Sequence, residues 1–114
     1  AFKNNKKMKK VAIAGSITEI GSGAFQGCTA LTKVVIPAKV KKIGSKAFYG
    51  CKKLTGLTIK SKLLTAKSVG SKAFTKAGSS NYKKLKVKVP AKKLASYKNL
   101  LKKKGLSSKA KIVK

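Results

Sequence analysis

The sequence predicts a solenoid of the α/β type, made mostly of short parallel β-strands and turns, with one capping helix at its C-terminal end. Three observations predict this fold class. Apolar residues recur with a spacing of 23 residues, which is typical of a repeat protein. Each repeat contains Leu-x-x-Val-x-Ile, an alternation that suits a short strand with one buried face. Residues 91–104 carry apolar side chains three to four positions apart, which indicates a helix.

The repeat is clearest where Ala-Phe-x-Gly-Cys occurs twice, 23 residues apart, and it extends upstream at the same interval. A looser copy follows 26 residues later. We therefore expect four repeats over residues 1–89, the first truncated and the last modified. Each unit is too small to bury its own apolar face, so neighbouring units must stack. The positions predicted to form structural ladders through the stack are Phe2, Phe25, Phe48 and Phe74, with Cys28 and Cys51.

The strand segments of stacked units should pair with one another in parallel, about 4.8 Å apart. Pro37 and Pro90 should end strands, because proline has no N–H to donate. The Ile-Gly-x-x-Ala-Phe segment should line the opposite side of the coil, with its phenylalanine filling the core. Its glycines are expected at tight turns that need a positive φ, and they are Gly21, Gly44 and Gly70.

Residues 90–114 are predicted to form a C-terminal cap: a helix over about 91–104 and then a short strand around Ala110-x-Ile112. Gly105 is a suitable residue just after the helix. Lys92 and Lys93 oppose the helix dipole at the predicted start. A cap is expected because a bare solenoid end is an unpaired, aggregation-prone edge. The N-terminal end begins inside a repeat, so we expect this chain to be the C-terminal segment of a longer repeat protein.

The segment from Ile20 to Pro37 reads Ile-Gly-x-x-Ala-Phe-x-Gly-Cys-x-x-Leu-x-x-Val-x-Ile-Pro. This pattern resembles the BspA-like bacterial leucine-rich repeats, over roughly residues 1–90. The resemblance implies a leucine-rich-repeat solenoid in a secreted or cell-surface bacterial protein, with adhesion or macromolecule binding as its function. The export signal would then lie upstream of this segment. The family supplies neither catalytic residues nor a ligand identity.

The composition argues against catalysis. The chain has 114 residues, 30 lysines and a net charge of +29, but only one acid, Glu19, and no histidine. Paired-carboxylate and triad chemistries both need residues that are missing here. No metal site and no cofactor are expected, because two cysteines and one glutamate cannot supply a common ligand set. The chain contains no run of 18 apolar residues, which a membrane-spanning helix would need. We therefore expect no membrane insertion.

The outward positions of the strands are the candidate ligand face, since solenoids commonly bind through such a surface. The bound partner would be a protein or a glycan. The same positions would also suit a solvated sheet face without any ligand. The candidate residues are Lys10, Lys33, Val35, Thr58, Lys86 and Lys88.

The charge supports an alternative function, an electrostatic anchor for polyanions such as wall polymers or acidic glycans. Sequence-specific nucleic-acid binding is not expected, because the chain contains no arginine for base recognition. The lysines would equally well provide solubility and discourage pairing at strand edges.

The two cysteines lie one repeat apart, so their side chains should be stacked neighbours. One interpretation is a buried ladder of free thiols, with Asn5 at the equivalent position of the first repeat. The other is a disulfide between adjacent coils, which the distance would permit.

Overall fold

Successive repeats form the coils of a solenoid in the computed structural model, which describes residues 2–114. Each full coil contributes a strand to one sheet, and the first two coils also contribute to a second, smaller sheet. The strands are β1 (Lys10–Ala12), β2 (Glu19–Ile20), β3 (Lys33–Ile36), β4 (Lys42–Ile43), β5 (Gly56–Ile59), β6 (Lys86–Lys88) and β7 (Lys111–Val113), and the α-helix is α1 (Leu94–Lys103).

The larger sheet has five parallel strands in the order β1-β3-β5-β6-β7. Alternate residues point inward, and the inward residues Val34, Leu57 and Val87 are buried. The 23-residue spacing gives the register of β3 on β5 directly, whereas a longer connection separates β5 from β6. The outward column that includes the first residue of each strand is Lys10, Lys33, Gly56, Lys86 and Lys111.

The second sheet is a parallel pair of β2 and β4, with one further bridge from Ile43 to Val69 in the next coil. Ile20, Ile43 and Val69 are buried and face the interior. The core therefore lies between this sheet, the five-stranded sheet and a turn in each coil that carries the repeated phenylalanine.

The phenylalanine turns stack on one another through both rings and backbone. Adjacent rings lie nearly parallel. Their centroids are 5.6 Å apart for Phe2 and Phe25, 5.2 Å for Phe25 and Phe48, and 5.5 Å for Phe48 and Phe74. The backbone N–H of Phe25 donates to the carbonyl of Ala47, and that of Phe48 donates to the carbonyl of Ala73. The predicted core position of these rings is therefore accompanied by a hydrogen-bond ladder between coils.

A residue in the left-handed region lies two positions after each of the four phenylalanines, and another lies two positions before Phe25, Phe48 and Phe74. This conformation lets the N–H groups of Gly23, Lys46, Gly27 and Gly50 donate to the following coil. The positive-φ residues before the phenylalanine are Gly23, Lys46 and Lys72, and those after it are Asn4, Gly27, Gly50 and Lys76.

The expectation of a positive φ at Gly21, Gly44 and Gly70 is wrong, because none of the three is in the left-handed region. Gly44 and Gly70 are needed for space instead. A Cβ on Gly44 would lie 2.7 Å from the carbonyl carbon of Gly21, and one on Gly70 would lie 2.6 Å from the Cα of Ser45. These glycines allow the backbones of adjacent coils to approach.

The C-terminal residues begin with a 3-10 turn at Ala91–Lys93, and α1 starts only at Leu94. This differs from a single helix over 91–104. The turn has no side-chain cap and carries two lysines where the helix dipole disfavours positive charge. Gly105 follows α1 with a φ of +102°, as expected for a residue that ends a helix.

Two hydrogen-bonding contacts join α1 to the repeats. The Tyr97 hydroxyl donates to the carbonyl of Ser61 at 2.8 Å and accepts from the N–H of Leu64 at 3.2 Å. The N–H of Phe74 donates to the carbonyl of Lys104 at 2.9 Å. The end of α1 therefore takes the hydrogen-bonding position that a further coil would occupy.

Candidate binding face

The structure places all six residues of the predicted ligand face on the outer surface of the five-stranded sheet. The four lysines are exposed, Thr58 is half-buried and Val35 is 38% exposed. Parallel pairing arranges these side chains in columns that run across the strands, because residues in register point the same way. The residues are Lys10, Lys33, Val35, Thr58, Lys86 and Lys88.

A shallow depression of about 660 Å³ lies over β3, β5 and β6. It is centred where Gly56 interrupts the lysine column between Lys33 and Lys86, because glycine contributes no side chain there. Lys10 lies outside this depression. Two further residues line it that do not belong to the predicted ligand face, Thr55 and Lys84.

Lys84 was missed for a physical reason. It ends a 3-10 turn, Tyr82–Lys84, inside the longer connection before β6. This connection breaks the 23-residue spacing, so no repeat column points to Lys84. Thr55 lies just before β5, outside the outward positions of the strand, and its hydroxyl contacts Thr32 at the equivalent position of the preceding coil.

The chemistry of the face is dominated by ammonium groups. The Thr32 hydroxyl donates to the carbonyl of Lys9 at 3.0 Å, and the Thr55 hydroxyl donates to the carbonyl of Thr32 at 3.4 Å. Their protons are used between coils, so Lys33, Lys84, Lys86 and Lys88 are the main donors around the depression. Such a face suits a ligand rich in hydrogen-bond acceptors or negative charge.

The thiols are held inside the fold. Cys28 and Cys51 are free and buried. The Cys28 Sγ donates to the carbonyl of Phe2 at 3.1 Å, and the Cys51 Sγ donates to the carbonyl of Phe25 at 3.2 Å. Burial raises the pKa of Cys28, and it raises the pKa of Cys51 to about 12. Both groups are therefore protonated thiols at neutral pH and poor nucleophiles.

Among residues 2–114, no group of three or more histidine, cysteine, aspartate or glutamate side chains is placed to hold a metal ion. In the same part of the chain, no helix is both long and apolar enough to cross a membrane.

A family model described as "BspA type Leucine rich repeat region (6 copies)" matches residues 1–102. The chain belongs to the BspA-type leucine-rich repeat family. The family and the fold class expected from the sequence are thereby confirmed. Members of this family are repeat modules, typically non-catalytic and commonly found in bacterial surface proteins. Comparisons with curated proteins and with solved structures gave no match.

Proposed function

We propose that this BspA-type module binds a protein or glycan, as part of a bacterial cell-surface or secreted protein, through the outer face of its five-stranded sheet. The observation that carries this proposal is the depression of about 660 Å³ around Gly56. It combines an apolar side chain, Val35, and a hydroxyl, Thr58, with a rim of lysines. This arrangement resembles the general plan of interfaces, in which a less polar centre is surrounded by charged residues.

The backbone under the depression is hydrogen-bonded on both sides as part of the sheet, which favours binding. β3, β5 and β6 pair in continuous register, and the side chains below them are buried. A ligand would therefore pay little conformational entropy to order the surface that it contacts.

The test uses two variants that each add one lysine. Gly56→Lys fills the depression, where a new Cβ meets only the Lys33 side chain at 3.5 Å. Gly15→Lys is the matched control, because that glycine has nothing within 4 Å of an added Cβ and lies outside the depression. The labelled chain and both variants are applied to an array of host glycans and purified matrix proteins at 150 mM salt. We expect Gly56→Lys to lose about tenfold in affinity, the effect of disrupting a central contact, and Gly15→Lys to bind as the unaltered chain does.

Equal binding by the two variants would contradict the proposal, and so would an array on which the unaltered chain binds nothing. Both variants have the same net charge, so a difference between them measures the depression and not the charge.

A second function, a lysine-rich anchor for wall polymers or acidic glycans, is favoured by the four ammonium groups around the depression. Salt separates the two functions. Binding of an anchor to an anionic polymer should fall steeply between about 50 and 200 mM salt, because each neutralised charge releases a counterion. Binding that resists salt and depends on Gly56 would support the first function.

A further inference from the structure

Three lysines occupy backbone positions that glycine is better suited to fill. Lys46, Lys72 and Lys76 have φ values of +56°, +59° and +63°. In the left-handed region the Cβ of any L-residue crowds the backbone, and lysine has no short polar side chain that could compensate locally. Glycine occupies the equivalent positions in other coils, at Gly23, Gly27 and Gly50. The fold therefore requires the conformation but does not require a side chain at these positions.

These three lysines do not contribute to the core. All three are exposed. Lys46 and Lys72 hold the same position in adjacent coils, two residues before Phe48 and Phe74, so they lie about one coil spacing of ~4.8 Å apart along the stack. This spacing is that of the two backbones, and two lysines carried at neighbouring backbone positions repel each other.

Two of the lysines share one aromatic neighbour, Tyr49. The Nζ atoms of Lys46 and Lys76 both lie 5.7 Å from the centroid of the Tyr49 ring, within the range of a cation–π interaction. Tyr49 is half-buried, and the N–H of Gly27 donates to its carbonyl at 2.9 Å, so its backbone is held by the adjacent coil. Two ammonium groups, one from each of two adjacent coils, thus lie near the same ring.

We propose that Lys46, Lys72 and Lys76, together with Tyr49, form a second binding site that takes an oxyanion group of an acidic polymer, either a sulfate or carboxylate on a glycan or a phosphate. An oxyanion bound by these ammonium groups offsets their like charge and accepts hydrogen bonds from them. This site does not rest on the function proposed for the sheet face, because none of its residues lines the depression around Gly56. Backbone strain at an exposed, charged cluster outside the core is the pattern expected of a binding site.

Replacing the three lysines separates binding from folding. The triple variant Lys46→Gly, Lys72→Gly, Lys76→Gly keeps residues that the backbone accepts, so we expect its Tm to be unchanged or higher. Its Kd for a heparin-derived tetrasaccharide, measured by calorimetry at 150 mM salt, should rise about tenfold, which corresponds to the loss of two to three exposed ion pairs. A triple glutamine variant at the same positions should lose the same affinity.

The matched control removes the same charge elsewhere, as Lys39→Gln, Lys60→Gln and Lys62→Gln, all exposed and outside both sites. We expect its Kd to change by less than about twofold. Tyr49→Leu keeps an apolar side chain but removes the cation–π contacts, and it should weaken binding about threefold.

A parallel titration with tripolyphosphate identifies the source of the oxyanion. If the Kd for tripolyphosphate also depends on the three lysines, the site accepts phosphate polymers. If that Kd does not depend on them, the site is assigned to sulfated or carboxylated glycans. An equal loss in the site and control triples would overturn the proposal, because binding would then be diffuse. A lower Tm in the glycine triple would also overturn it, because the lysines would then be structural. The Gly56→Lys variant should bind the tetrasaccharide normally, so failure of the sheet-face proposal would leave this result unaffected.

Discussion

The first coil and the interior coils have the same local structure but very different burial. Phe2 stacks on Phe25 at 5.6 Å, almost as Phe48 stacks on Phe74 at 5.5 Å. Yet Phe2 is 42% exposed, whereas Phe48 is 0% exposed. The difference comes from neighbours, since Phe48 has a coil on each side and Phe2, among the described residues, has a coil on one side only. The stability of this repeat protein therefore resides in the interfaces between coils.

The contrast extends to a second apolar residue of the first coil. Ile17 is 38% exposed, while its equivalent Val40 in the next coil is buried. The result is an apolar hollow of about 320 Å³ that includes Phe2, Ile17 and Ile20. The same hydrophobic pattern thus forms a closed core where coils stack and an open apolar surface where, in residues 2–114, they do not.

The largest expected effect comes from removing an interior ring. Phe48→Ala should lower the free energy of unfolding by about 3–5 kcal/mol, because it leaves a cavity between two coils that cannot close. Phe2→Ala should cost only about 1–2 kcal/mol, because Phe2 is already 42% exposed and stacks on one ring instead of two. Chemical denaturation of both variants at matched concentration measures the difference.

Similar losses for Phe48→Ala and Phe2→Ala would contradict the comparison. It would mean that the first coil contributes to the core as fully as an interior coil does.

A smaller effect is expected at the repeated glycine. Gly44→Ala should destabilise the chain by about 1–3 kcal/mol, because its Cβ would overlap the backbone of Ser22 and the coils would have to move apart. Gly21→Ala is the matched control one coil earlier, where nothing lies within 4 Å of the added Cβ. Its stability should be unchanged or higher by about 0.4–1 kcal/mol, because alanine restricts the unfolded chain.

Both stabilities can be read from urea unfolding curves with the same slope. A destabilised Gly21→Ala variant would show that this glycine is needed for its own backbone conformation, as the sequence pattern first indicated.

These glycines show what a repeat pattern can and cannot predict. The 23-residue spacing predicts the strand register, the inward positions and the phenylalanine stack, because each depends only on equivalent residues lying in equivalent places. It also shows that glycine recurs at Gly21, Gly44 and Gly70. It does not show why, since a positive φ and a close backbone approach both select glycine.

The positions missed on the surface have a related explanation. Lys46, Lys72 and Lys76 adopt the conformation that glycine signals elsewhere, so no residue type marks them in the sequence. Lys84 reaches the sheet face from a connection outside the repeat. Sequence periodicity reports what the coils share, whereas both candidate sites depend on where the coils differ.

The smallest effect concerns the thiols, which lie in one column but at different depths in the stack. Cys28 donates to Phe2 of the exposed first coil, and Cys51 donates to Phe25 of a buried coil. Because burial raises the pKa of both thiols, to about 12 for Cys51, reaction with iodoacetamide at pH 8 requires local opening. Opening the first coil breaks one inter-coil interface, and exposing Cys51 breaks a more buried one.

We therefore expect Cys28 to be alkylated about tenfold faster than Cys51 in the native chain, as measured by peptide mass spectrometry, and the two rates to become equal in 6 M guanidinium. Phe2→Ala should raise the alkylation rate of Cys28 and leave that of Cys51 unchanged. Equal alkylation rates in the native chain would mean that the stack opens as one unit and that the first coil is no less stable than the interior coils.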